Sequence, residues 1–198
     1  MESAKPDAAA EVEWIKRAQR GDGEAFGRLV ERYQRRIFSL VYHVVQRREV
    51  VEDLAQEIFL KAYMGIQSFN FESSFGTWLG RVAVNHCYDH LRRQRASRVK
   101  YFAEMSEEAS QKLEQTYEGQ QADAPDAEQQ TLLRETVSAL LDRAPAEDRI
   151  ILVLKEMEEL SVEEIAEIMR LTRTAVKVRL HRARKRMLQD YRRWRGGR

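Results

Sequence analysis

The 198-residue chain sets 34 Lys and Arg against 32 Asp and Glu, a net charge of only +2. That length accommodates one or two small domains with a packed core, and a single cysteine, Cys87, excludes an internal disulfide. No apolar run is long enough to cross a bilayer, and the acidic N-terminus lacks the apolar core of a secretory signal, so a cytoplasmic protein is expected.

With three prolines, nine glycines and almost no β-branched alternation, the chain predicts an all-α fold. The first short helix spans 12–20 and stops at Gly21-Asp22-Gly23. The second, 24–45, carries Phe26, Leu29, Val30, Tyr33, Ile37, Leu40 and Val41 on one stripe. A third, from about 50 to 66, turns Val51, Leu54, Ala55, Ile58 and Ala62 inward. Its opposite face holds Asp53, Gln56, Glu57 and Lys61 at helical spacing. Such a face is either simply solvated or a site for a protein partner.

The polar stretch "SFNFESSFG" follows, and then a fourth helix over about 77–95. Leu79, Val82, Ala83, Cys87 and Leu91 form its apolar stripe, while Arg81, Asn85, Tyr88 and Arg92 line another side. Arg, Asn and Tyr so arranged can bind phosphates, hydrogen-bond bases and stack on them. Phe69, Phe71, Phe75 and Trp78 could hold an unstacked base or anchor the loop as core residues, the expected fate of Phe75 and Trp78. His86, Cys87 and His90 invite a metal-site reading, but Cys87 lies on the core stripe and no fourth ligand is suitably spaced. No metal, cofactor or catalytic constellation is expected, and so no enzyme.

Between Tyr101 and Gln130 eight acidic residues face only Lys112. This stretch lacks the large apolar residues needed for a core and is expected to be an acidic flexible linker, 96–130. Helical signals return over 132–141, 146–158, 162–169 and 173–191.

From Arg170 onward twelve basic residues face one acid, Asp190. Ser161-Val162-Glu163-Glu164 has the capping-box pattern, Arg170-Leu171-Thr172 forms a turn, and Thr172 can cap the last helix. There Val176, Leu180, Ala183 and Met187 make one apolar face. Thr174, Lys177, Val178, His181 and Lys185 fall on another, flanked by Arg179, Arg182 and Arg186. This is a helix-turn-helix: the apolar rhythm seats the helix and the charge serves a DNA backbone. A basic solvated face on an ordinary bundle is the bland alternative.

Together these segments resemble the extracytoplasmic-function (ECF) sigma factors of bacterial RNA polymerase. "VVEDLAQEIFLKAY" resembles the helix that docks on the β′ clamp of core polymerase. "SSFGTWLGRVAVNHCYDHLRR" is similar to the segment that melts and reads the minus-ten element, and "LSVEEIAEIMRLTRTAVKVRLHRAR" to the minus-thirty-five reader. The resemblance implies a region-two-like domain at 11–95 and a region-four-like helix-turn-helix domain at 131–195. It implies that Asp53, Gln56 and Glu57 face β′. Asn70, Phe71, Glu72, Ser73 and Ser74, supported by Arg81, Asn85, Tyr88 and Arg92, would handle the minus-ten strand. Arg173, Thr174, Lys177, Val178, Arg179, His181, Arg182 and Lys185 would meet the minus-thirty-five duplex. An anti-sigma factor is an implied further partner. Phe71 stands where members often have glycine, and Thr174-Ala175 replaces a common Gly-Thr. Two rivals predict otherwise: a free-standing helix-turn-helix regulator would bind operator DNA as a dimer, and an interaction module with incidental basic helices would show no salt-dependent DNA binding.

Overall fold

The computed structural model describes residues 8–104 and 136–196, and among these every regular element is helical. Eight helices follow in chain order: α1 Ala8–Gln19, α2 Gly23–Val45, α3 Val51–Gly65, α4 Phe75–Glu104, α5 over 136–143, α6 Ala146–Leu152, α7 Val162–Met169 and α8 Arg173–Gly196.

The breaks between helices follow local chemistry. Gly21 takes φ +92°, a conformation costly for any residue with a Cβ, and Asp22 caps α2 by accepting from the Ala25 amide at 3.1 Å. The Asp22 carboxyl is held below its usual range, first by that amide and then by Arg17. Ser74 starts α4 two residues earlier than the apolar pattern predicts, its Oγ accepting from the Thr77 amide at 3.0 Å. At the other end α4 continues through 96–104, into the stretch expected to be linker. "ASRVKYFAE" contains no glycine or proline, so nothing local stops the helix. The rest of the acidic linker lies outside the described residues.

Helices α1–α4 form one bundle. The buried face of α3 is Val51, Leu54, Ala55, Ile58 and Ala62, the five residues its spacing predicts. Glu11 fastens α1 to α2 by accepting from the Tyr33 hydroxyl at 3.1 Å and pairing with Arg32 at 2.8 Å. Burial is the main reason the Tyr33 phenol is pushed up to about 12.

Helices α5–α8 form the second half. Past α6 the backbone widens into a π-helical turn, Val153–Met157. The Lys155 ammonium then donates to the Leu160 carbonyl at 3.0 Å, fastening the turn that leads into α7. The capping box of α7 is complete: Glu164 N–H donates to Ser161 Oγ at 3.1 Å, and Ser161 N–H donates back to the Glu164 carboxylate at 2.9 Å. These bonds hold the Glu164 carboxyl below its usual range.

The two halves touch. One apolar core runs continuously from α1 to α8, and α7 packs on α4 where a Cβ on Gly80 would stand 3.1 Å from Ile168 Cδ1. Val84, one turn beyond Gly80, is buried although it lies off the stripe predicted for α4.

Candidate nucleic-acid and docking interface

Three exposed surfaces carry the residues singled out by the sequence. The first is the outer face of α3. Asp53, Gln56 and Glu57 are all exposed, because the five apolar residues of this helix occupy its inner side. Asp53 makes no hydrogen bond or ion pair among the described residues. Gln56 reaches back to Glu52 at 3.4 Å. Glu57 Oε2 lies 2.8 Å from Nε2 of His86, a side chain only 2% exposed. The approach is bent, so it is a close electrostatic contact rather than a well-formed hydrogen bond. On the other side of the ring, Lys61 Nζ stands 2.7 Å from Nδ1. An ammonium has only protons to give, so Nδ1 is the acceptor and Nε2 carries the hydrogen. His86 therefore bridges Glu57 and Lys61 from beneath. It was read from the sequence only as a poor metal ligand; its periodicity offered no other signal.

Among the described residues no group of His, Cys, Asp and Glu is arranged to hold a metal ion. Cys87 is fully buried, which pushes its thiol up to about 12.

The protonation of His43, His86 and His90 is displaced in one direction: burial holds each imidazole below its ordinary value. Next to burial, Lys61 presses on His86 and Arg93 on His90, while Glu158 partly opposes the shift at His43. Below about pH 6.5 the unfolded chain binds protons that the folded chain refuses. Stability should therefore decline as pH falls through that value, and urea midpoints at pH 7.5 and 5.5 measure the decline. His86→Asn should flatten part of it.

The second surface is the loop before α4. Asn70, Phe71, Glu72 and Ser74 are exposed and Ser73 is half-buried. Gln19 of α1 pins the loop's root by donating to the carbonyls of Ile66 at 3.1 Å and Phe69 at 2.7 Å. No sequence signal marked Gln19, since it acts across 50 residues of chain. Asn70 Oδ1 accepts from the Glu72 amide at 3.3 Å, tightening the turn. Beneath, Phe69 and Phe75 are buried at 4% and 2% exposure, and Trp78 packs against both. Phe71 is 42% exposed, with its ring centroid 4.9 Å from that of Phe69.

Phe71 also adopts φ +64°, the left-handed conformation that glycine tolerates and a phenylalanine resists. This gives an unusual expected order. Phe71→Ala keeps the strain and loses the ring contact; Phe71→Gly loses the contact and relieves the strain. The Gly variant should be the more stable of the two by about 1 kcal/mol, as read by urea denaturation.

On α4, Asn85, Tyr88 and Arg92 are exposed and Arg81 is half-buried, its Nε enclosed without a partner among the described residues. Arg92 pairs loosely with Asp89 at 3.4 Å.

The third surface is α8. Thr172 caps the helix, its Oγ1 accepting from the Ala175 amide at 3.1 Å. Val176, Leu180 and Ala183 are buried, which turns Arg173, Thr174, Lys177, Val178, His181, Arg182 and Lys185 to solvent. The arginines separate into two groups. Arg179 pairs with Glu147 at 2.8 Å, Arg184 with Glu156 at 2.5 Å and Arg186 with Asp148 at 2.5 Å, all acids of the same half. Lys177, Arg182 and Lys185 have no such partner among the described residues, and Arg173 has only a 3.6 Å approach to Glu163. Arg179 and Arg186, read from the sequence as flanking a DNA contact, face their own domain because α6 brings acids beneath them.

A helix-turn-helix with a free basic face, joined to a four-helix bundle with an exposed aromatic loop, defines a class of bacterial transcription protein. Family profiles match in this order: sigma-70 region 2 at residues 29–97 and sigma-70 region 4 at 134–187. The chain is 33% identical over 181 residues to the ECF RNA polymerase sigma factor SigW of Bacillus subtilis, covering 90% of this chain and 95% of that protein. It is 35% identical over 174 residues to the ECF RNA polymerase sigma-E factor of Escherichia coli, covering 86% and 88%. In fold it is similar to CnrH in complex with the cytosolic domain of CnrY, with a TM-score of 0.64 at 24% identity over 92% of this chain and 98% of that one. It is likewise similar to the sigma factor RpoE of Bartonella quintana in complex with the anti-sigma factor NepR, with a TM-score of 0.61 at 20% identity over 83% and 94%. The chain belongs to the ECF RNA polymerase sigma factor family.

Proposed function

We propose that this chain binds core RNA polymerase and directs it to promoters, with each surface above taking one share of the work. The working division is a core- and minus-ten-binding domain at 11–95, a linker at 96–130 and a minus-thirty-five-binding domain at 131–195. Asp53, Gln56 and Glu57 dock on the polymerase. The loop Asn70–Ser74 receives a base displaced from the minus-ten stack, while Arg81, Asn85, Tyr88 and Arg92 track the single strand. Thr174, Lys177, Val178 and His181 face base edges of the minus-thirty-five duplex, and Arg173, Arg182 and Lys185 lie near phosphates. Binding energy from the polymerase and the duplex offsets the cost of unstacking the minus-ten bases.

The observation that carries this reading is family membership combined with the free basic face of α8. A cytoplasmic site of action follows from the polymerase, and no described helix is long and apolar enough to cross a membrane. An anti-sigma factor is a further expected partner. A free-standing operator-binding regulator would leave the polar face of α3 and the aromatic loop without a role. The deciding experiment adds purified protein to core polymerase on a genomic promoter library. Initiation at defined start sites is expected, and its absence would sink the reading.

A further inference from the structure

The contacts between the two halves are polar as well as apolar, and they meet at the C-terminal end of α2. Arg149, only 6% exposed, donates to the Val44 carbonyl at 3.0 Å. Its other nitrogen donates to the Asp142 carbonyl at 2.7 Å. The last carbonyls of a helix carry no internal partners and form the negative end of its dipole. Gln46 already serves the carbonyls of Tyr42 and His43, so the guanidinium from the second half completes the cap of a helix in the first. Nearby, Glu158, with a side chain 8% exposed, accepts from Ser39 Oγ at 2.8 Å and pairs with Arg36 at 3.5 Å. Ser138 hydrogen-bonds to Gln46. Gly80 leaves just enough room for Ile168.

We propose that these contacts form a latch that holds the unbound chain in a closed form unable to initiate, and that opening the latch is a step of assembly on the polymerase. The functional half of this inference rests on the sigma-factor reading above. Elements named for positions ten and thirty-five lie about 25 base pairs apart, roughly 85 Å at 3.4 Å per step. A compact body of this many residues is only about 40 Å across. The closed form can reach one element or the other, but not both on an extended duplex. Separation is physically available, because residues 105–135, at about 3.4 Å per extended residue, reach on the order of 100 Å.

The closed form nevertheless leaves Asp53, Gln56 and Glu57 exposed, so polymerase can engage before the halves part. Charged groups suit a reversible contact of this kind. Arg36, Arg149 and Glu158 regain hydration when the halves separate, which a wholly apolar interface would not.

The test labels the full chain with a fluorophore pair at cysteines replacing Gln67 and Gln189, both exposed; Cys87, at 0% exposure, stays unreactive. Glu158→Lys sets like charge against Arg36 and should lengthen the label separation from within about 40 Å towards 60 Å or more. Arg36→Glu alone should do the same. The double variant restores the pair and should return the short distance, which separates loss of the latch from loss of folding. Gly80→Leu opens the contact by packing instead of charge. A long distance in the free wild-type chain, or no change in Glu158→Lys, would overturn the latch. Adding core polymerase to the wild type should give the long distance, and an unchanged short distance in a complex that initiates would overturn the opening step. Failure to bind polymerase at all would refute the sigma-factor reading while leaving the latch result intact.

Discussion

Asp53→Lys should lower affinity for core polymerase by at least about 30-fold while leaving the protein as stable as the wild type. The size follows from the roughly 2–5 kcal/mol lost when one member of a desolvated interfacial charge pair is removed, of which about 2 kcal/mol corresponds to 30-fold. The reversal also sets a positive charge where the proposal requires a negative one. Stability should stay within about 0.5 kcal/mol, because Asp53 is exposed and bonded to nothing among the described residues. That isolation makes it a cleaner probe than Glu57, whose loss would also disturb His86 and Lys61. Affinity is read by fluorescence anisotropy against core enzyme, with duplex binding by the α8 face as the internal control. Wild-type affinity in Asp53→Lys would remove α3 from the docking surface.

The second large effect is expected on α8. Lys177→Ala combined with Arg182→Ala should weaken minus-thirty-five binding and reduce the slope of log affinity against log salt by about 1.8, near 0.9 for each lost phosphate contact. If Lys177 instead reads a base edge, the slope falls by only about 0.9 and discrimination between promoter sequences relaxes. Arg179→Ala is the contrasting variant. Its guanidinium is committed to Glu147 at 2.8 Å, so the slope should be unchanged even though its basic character looks the same in the sequence. Titrations at several salt concentrations, on duplexes carrying the same promoter, distinguish the three. Equal slopes for Arg179→Ala and Arg182→Ala would show that the arginines do not divide their work in this way.

Both predictions depend on which way individual side chains face, and that is where reading from sequence reaches its limit. The helical class, the inner face of α3, the capping box at Ser161 and the cap at Thr172 were legible because each depends on residues within a turn or two of one another. The exposed face of α8 was legible for the same reason: once Val176, Leu180 and Ala183 go inward, Lys177, His181 and Arg182 must go outward. Phe71 stood out as a departure from glycine, but only the backbone revealed that it bears the left-handed conformation itself.

Other features arise from contacts between residues far apart in the chain. Arg149 reads as a surface charge, yet it is buried because its partner is a carbonyl 105 residues away. Val84 and His86 lie off the apolar stripe of α4, yet they are covered, His86 beneath α3 and Val84 on the side that receives α7. Gln19 anchors a loop it never adjoins in sequence. Periodicity reports the one face a helix must bury on its own account. Whether a second face is also covered depends on which element arrives there, and here that was decided only when the two halves met.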